Sequence, residues 1–275
     1  MTARRARNLW LRRTIGLLAI VGVIWLAFEA ATWPNVRALA TRPPRTTAFI
    51  ERYKARERDA GRTPRVEWRW VSSSAISIHL KRAVVVAEDT DFFHHNGFAP
   101  KAMREAVTQA LEERRAPRGA STITQQLAKN LWLSPDRTVL RKARESVLTW
   151  QLEKTLSKRR ILECYVNVVE FGPGVYGVEA ASRRYFGKPA AELSAEEAAQ
   201  LAAGLPRPRE WHPGVTTTGY RRYVDNIRRR MERIAAGRRH PDRRLLHDAG
   251  AARRREPVRT DARRVGDELV LARGQ

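Results

Sequence analysis

Ser121, Thr122, Gln125, Gln126, Lys129 and Asn130 fall within one short stretch, Arg118 to Leu131, which reads R-G-A-S-T-I-T-Q-Q-L-A-K-N-L. From Ser121 onward the residues suit a helix. At about 3.6 residues per turn, Ser121, Gln125 and Lys129 line one face, and Thr122, Gln126 and Asn130 form the adjacent row. Ile123 and Leu127 are left to face a core. Solvated helix faces are usually rich in Glu, Lys and Arg. A double row of hydroxyls and amides ending in a cation is instead expected to wall a polar, anionic ligand. Ser121 and Thr122, at the first turn, also suit simple capping.

A second cluster lies upstream, from Ala83 to Gly97: A-V-V-V-A-E-D-T-D-F-F-H-H-N-G. An apolar run ends abruptly at Glu88-Asp89. Desolvating a carboxylate is costly, so a glutamate there is either paired or has a raised pKa, and the latter suits a general base. The plain alternative is a helix-terminal acid followed by an acidic turn. His95 has no further Cys or His beside it except His94. A structural hydrogen bond is the better reading for it than a metal ligand.

Together the two segments carry a resemblance. E-D-x-x-F-x-x-H-x-G (Glu88, Asp89, Phe92, His95, Gly97) followed by G-x-S-T-I-T-Q-Q-L-x-K-N resembles the peptidoglycan glycosyltransferases. Further blocks follow in the family's order: Arg141-Lys142 with Glu145, Ser157-Lys158 through Glu163 to Tyr165 and Asn167, Phe171-Gly172, G-V-Y-G-V-E-A-A, and Tyr185 to Lys188. The likeness covers most of Thr46 to Trp211. One departure is Ala99, where relatives commonly carry an acid, and only a local effect is expected.

The resemblance implies a mainly α, lysozyme-like domain whose substrate is lipid II, a disaccharide-peptide joined through diphosphate to a polyprenyl chain. The implied reaction is inverting: the 4-hydroxyl of one sugar attacks the anomeric carbon of a lipid-linked glycan and releases polyprenyl diphosphate. It needs a base on the attacking hydroxyl and positive charge on the leaving group. Glu88 matches the principal catalytic glutamate and is assigned the base. Asp89 is expected to hold or polarise the site, and Glu145 matches a supporting second glutamate. A bare ion pair of Glu145 with Arg141 would be worth only ~0.3–0.5 kcal/mol if exposed. Lys129, Arg137 and Arg141 are the expected diphosphate cations, with Lys142 and Arg144 as second choices. Ser121, Thr122, Gln125, Gln126 and Asn130 are expected to bind sugar or phosphate. No protein-held metal site is expected; the chemistry admits a divalent cation, magnesium or manganese, bridging the diphosphate and Asp89 or Glu145. Trp68, Trp70, Trp132 and Trp150 read as core or membrane-facing rather than sugar platforms.

Composition agrees with an anionic partner. The chain has 275 residues, 43% of them hydrophobic, and 53 Lys plus Arg against 29 acids give a formal charge of +24. Such a balance favours a phospholipid surface, a diphosphate or a nucleic acid; the motifs select the first two, and no nucleic-acid partner is expected. Lone Cys164 excludes an intrachain disulfide, and C-x-x-C and H-E-x-x-H are absent. Arg4, Arg5, Arg7, Arg12 and Arg13 precede an apolar run from Ile15 to about Ala31, near the ~20 residues that cross a bilayer. Trp10 and Trp33 bracket it. The arginines predict a cytoplasmic N-terminus, an uncleaved single-pass anchor in a bacterial inner membrane and a periplasmic catalytic domain.

The expected organisation is a basic cytoplasmic segment (1–14), a transmembrane helix (15–32), a glycosyltransferase domain (46–236) and a basic, disordered tail (237–275). Within the domain the periodicity predicts helices at Phe49 to Asp59, Ala75 to Ala87, Leu140 to Leu156 and Tyr220 to Ala236. Ser194-x-x-Glu197 reads as a capping box. A basic amphipathic segment spans Pro100 to Arg115, and Val66 to Val71 reads as one short extended piece. No serine is followed three places on by lysine and no K-T-G occurs, so no transpeptidase is expected. Lipid II, the nascent glycan and other cell-wall synthesis proteins are the expected partners. Two rivals follow from the same residues. A lysozyme-like lytic enzyme would shorten glycan rather than extend it and has no use for the cation set. A non-catalytic, membrane-anchored polyanion binder would keep its function in Glu88→Gln and simply weaken with salt.

Overall fold

A computed structural model of the chain describes residues 2–99, 104, 108, 121–136 and 138–236. Most of the segment expected to form a basic lobe (Pro100 to Arg115), the C-terminal tail (237–275) and the candidate cation Arg137 lie outside the described residues. What is described is mainly helical, as the sequence predicts.

Helix α1 runs Thr2–Thr32. Ile15, Leu17, Leu18, Ile20, Val21, Val23, Ile24 and Phe28 all stand exposed along it. The stretch Arg12–Ala40 has a mean hydropathy of 2.1 in its most apolar window, long and apolar enough to cross a membrane, and none of that window is buried. An apolar helix with no protein around it needs another apolar surround, so α1 suggests a membrane anchor.

Beyond a 3-10 turn at Val36–Ala40, α2 occupies Ala48–Asp59, capped by the Thr47 side chain, which accepts from the Ile50 N–H. β1 is Glu67–Trp68, and α3 is Ile78–Glu88. After the Gly97 region come α4 (Ile123–Trp132), α5 (Val139–Thr155) and α6 (Lys158–Val168). β2 (Glu170–Gly172) and β3 (Val175–Tyr176) follow. The chain closes with α7 (Val178–Phe186), α8 (Ala195–Gly204) and α9 (Thr218–Ala235). The Ser194–Glu197 capping box opens α8 as expected.

Val66 to Val71 is expected to be extended, with no strand in the sequence to pair it. β1 in fact pairs parallel with β3, which pairs antiparallel with β2, in the order β1-β3-β2. Strands of two or three residues are too short to show a period of two. Gly177, at φ +76, makes the exit from β3 possible, because a Cβ there would stand 2.6 Å from the Asn167 carbonyl oxygen.

One apolar core joins the helices. Leu80, Ala83 and Val84 of α3, Ile123 and Leu127 of α4, Leu148 and Leu152 of α5, and Ile161 and Tyr165 of α6 are wholly buried. α3 packs on α8 and α9, while α4 lies between α5 and α6. α4 is therefore covered on nearly every side, and this decides what its polar residues can do.

Candidate active site

The last residue of α3 is Glu88, delivered by Val84, Val85 and Val86, all at or near zero exposure. Its Oε2 accepts a hydrogen bond from Gln126 Nε2 at 2.7 Å. Its Oε1 is closed off from bulk solvent and has no protein hydrogen-bond partner. Burial pushes the Glu88 carboxyl above its ordinary value, and neighbouring Asp89 adds to this. The Gln126 bond and the charge of Lys129 pull the other way without cancelling the shift.

Gln126 is itself held. Its Oε1 accepts from the Tyr165 hydroxyl at 2.8 Å, which leaves the amide nitrogen to face Glu88. Tyr165 is fully buried on α6, and burial raises its phenol well above the ordinary range, so it keeps the proton it donates to Gln126. The chain Tyr165–Gln126–Glu88 thus fixes one carboxylate oxygen and leaves the other shielded and without a protein partner. From behind, Tyr223 of α9 donates to the Ala87 carbonyl at 3.3 Å and Arg230 donates to Thr90 at 2.8 Å.

Lys129 lies near Glu88 and also near Glu145, Arg141 and Lys142 on α5; burial, the largest influence, lowers its pKa. Among the described residues no ion pair holds its ammonium. Glu145, 3% exposed, is engaged by Arg141 Nη1 at 2.5 Å and by Lys142 Nζ. Arg141 Nε is buried without a partner. Three cations around one carboxylate leave a positive excess beside Glu88.

The other expected residues sit elsewhere. Asp89 accepts from His95 Nε2 at 3.0 Å and from the Ile123 backbone N–H at 3.0 Å, capping α4 where its amides point outward. His95 Nδ1 accepts from the Gly97 N–H at 3.1 Å, so the neutral Nε2–H tautomer meets both bonds. Gly97 has φ +85, and a Cβ there would meet Thr149 and Glu153. Thr122 and Gln125, expected to bind ligand, instead close a capping box on α4. They are 2% and 3% exposed, and the Thr122 hydroxyl donates to the Gly97 carbonyl at 2.7 Å. Asn130, 5% exposed, donates to the Gln126 carbonyl at 2.8 Å. The correction has one cause: α4 is enclosed by α5 and α6, so most of its polar double row faces inward. Ser121 remains exposed, with its carbonyl 3.5 Å from Gln126 Nε2. Arg144, a second choice among the diphosphate cations, turns instead to Glu29 at 3.3 Å.

A bridging divalent ion finds little to hold it. The Asp89 oxygens are taken by His95 and Ile123, and those of Glu145 by two cations. Among the described residues no group of three His, Cys, Asp or Glu side chains is arranged around a common point. The donor set does not fit a resident metal.

Comparison with known proteins shows the family. A family model described as Transglycosylase matches residues 57–236. A biosynthetic peptidoglycan transglycosylase of Thiobacillus denitrificans is 44% identical over 232 residues, covering 84% of this chain and all of the relative. Proteins of the same name from Bordetella avium and Aromatoleum aromaticum are 40% and 51% identical, over 85% and 70% of this chain and 99% and 82% of their own lengths.

Proposed function

This chain belongs to the transglycosylase family, and from that premise we propose that it lengthens peptidoglycan glycan from lipid II by inverting transfer. The acceptor's 4-hydroxyl attacks the anomeric carbon of a lipid-linked glycan. The new C–O bond forms as the bond to diphosphate breaks, and the hydroxyl proton passes to Glu88 Oε1. The polyprenyl diphosphate leaves as an anion and needs no proton donor. Its developing charge meets Lys129, Arg141 and Lys142, with Glu145 holding the last two apart and in place. Preorganised donors of this kind contribute roughly 10²–10³-fold in rate each.

One observation carries the reading: Glu88 keeps a shielded, unpartnered oxygen beside a group of cations, and its second oxygen is fixed by Gln126 and Tyr165. A lytic enzyme would have no use for the cations. The arginines in the first turns of α1 support a cytoplasmic N-terminus in the bacterial inner membrane, with the catalytic body on the far side and lipid II reaching it from the bilayer. The absence of S-x-x-K and K-T-G from this chain supports glycosyl transfer without transpeptidation. Incubation of the purified protein with labelled lipid II, followed by separation of products by length, tests the proposal. Glycan ladders with release of polyprenyl diphosphate support it; shortening of preformed glycan, or no product, overturns it.

A further inference from the structure

The anchor helix is more than tethered to the catalytic body. Glu29 is the only acid before Glu51, and it sits one turn from the end of α1, in the helix's otherwise apolar C-terminal half. Its side chain is 15% exposed and faces Arg144 of α5, with Oε2 3.3 Å from Arg144 Nη2. Glu29 Oε2 and Arg144 Nε are both shielded from solvent and otherwise without hydrogen-bond partners. The Arg144 guanidinium also lies over the Trp33 ring at 5.8 Å, and Trp33 Nε1 donates to Gln151 Oε1 at 2.8 Å. Val36 and Leu39 of the following turn are buried, and Arg160 Nε donates to the Leu39 carbonyl at 2.7 Å. From Glu29 to Leu39 the chain is therefore docked on α5 and α6.

Arg144 and Gln151 are seven residues apart and share one face of α5; Arg141 and Glu145 occupy the neighbouring face. The first face holds the anchor and the second carries the Arg141–Glu145 part of the cation cluster. We propose that the Glu29–Arg144 pair is a positioning device, through which the anchor sets the placement of Arg141, Lys142 and Glu145 on the leaving-group side. An ion pair at the end of a membrane-crossing helix is poorly solvated, so each partner depends on the other more than a surface pair would. The inference rests on the proposed role of the Arg141–Lys142–Glu145 cluster.

The test uses the full chain in lipid vesicles, with Glu29→Gln, Arg144→Gln, the double variant, and the exchange Glu29→Arg with Arg144→Glu. Each single change should lower kcat about 5- to 10-fold at nearly constant KM, and the double should be no worse than either single, as coupled neighbours behave. The exchange should recover most of the rate. Spin labels on Ala31→Cys and Val147→Cys give a readout independent of turnover. The native Cys164 is buried and its thiol is pushed up to about 12, so it will not compete for label. The label-to-label distance should be narrow in the parent and broad in either single variant. Additive losses, an exchange that fails to recover, or an unchanged distance distribution would each overturn the proposal. Single variants at full rate beside a polymerising parent would sink the positioning role and leave glycosyl transfer standing. A parent that does not polymerise would take both down.

Discussion

Glu88, half-buried with one oxygen shielded, and Glu145, fully buried, are carboxylates at the ends of the same group of cations, yet their surroundings are opposite. Glu145 has its two oxygens bound by Arg141 and Lys142. Glu88 has a neutral amide on one oxygen and nothing on the other, and burial raises its proton affinity. A carboxylate clamped by cations serves as a fixed charge. A carboxylate held by a neutral partner in a dry site keeps its appetite for a proton. In the proposed mechanism the two glutamates divide the work by what each is bonded to.

Removing the base should break this comparison most sharply. Glu88→Gln keeps shape and hydrogen-bonding capacity but cannot accept the proton, and polymerisation of labelled lipid II should fall by at least ~10²-fold. Because the folded pKa of Glu88 is raised, the stability this group contributes is complete below the unfolded value, about 4.3, and is lost as pH rises through the folded value. The variant should accordingly match the parent in denaturant near pH 4 and be level with it or more stable at pH 7. A Glu88→Gln enzyme that turns over near the parent rate rules out the base.

The cations come next. Lys129→Ala should lower kcat/KM by roughly 10²-fold, since it lies between the two glutamates and no ion pair among the described residues holds it. Arg141→Ala should lose somewhat less activity but also lose stability, because Glu145 is then left to Lys142 alone. Lys142, whose side chain is 48% exposed, should matter least. Equal, small effects at all three would mean that surface charge in general is being measured.

Two finer tests follow. Tyr165→Phe frees the Gln126 amide to turn, and should cost about 1 kcal/mol of stability with a several-fold fall in kcat. No change in either would remove Tyr165 from the site. The acid limb of the pH–rate profile should lie above the usual carboxylate range, because burial raises the Glu88 carboxyl. Lys129→Ala should move that limb further up, since the Lys129 charge lowers the Glu88 pKa. A limb that stays in place would separate Lys129 from Glu88.

Much of this was legible in the residues. Glu88 at the end of an apolar run, Lys129 on α4, and Glu145 beside Arg141 all stand where the spacing puts them, and His95 makes the structural bond its lone position suggested. The four helices expected from periodicity form within a few residues of the expected ends. What failed was the direction of the polar double row. Helical spacing shows that Thr122 and Asn130 share a face, but which face meets the core depends on α5 and α6, which lie further along the chain. The same reason hid Tyr165, since 39 residues separate it from Gln126. The small sheet was invisible because its strands are shorter than one alternation can reveal.

The parallel pairing of β1 with β3 matches Glu67 to Val175, and Trp68 Nε1 donates to the Asn167 carbonyl at 2.7 Å, 99 residues away in the chain. These bonds close a long loop late, and long-range closure of this kind slows folding. Synthesis proceeds at about 5–20 residues per second, so Trp68 and its neighbours wait on the order of ten seconds after they are made before their partners exist. During that interval the first part of the body is already joined to α1 but has nothing to fold against. The nascent chain therefore carries α1 complete well before the body that packs behind it has its shape.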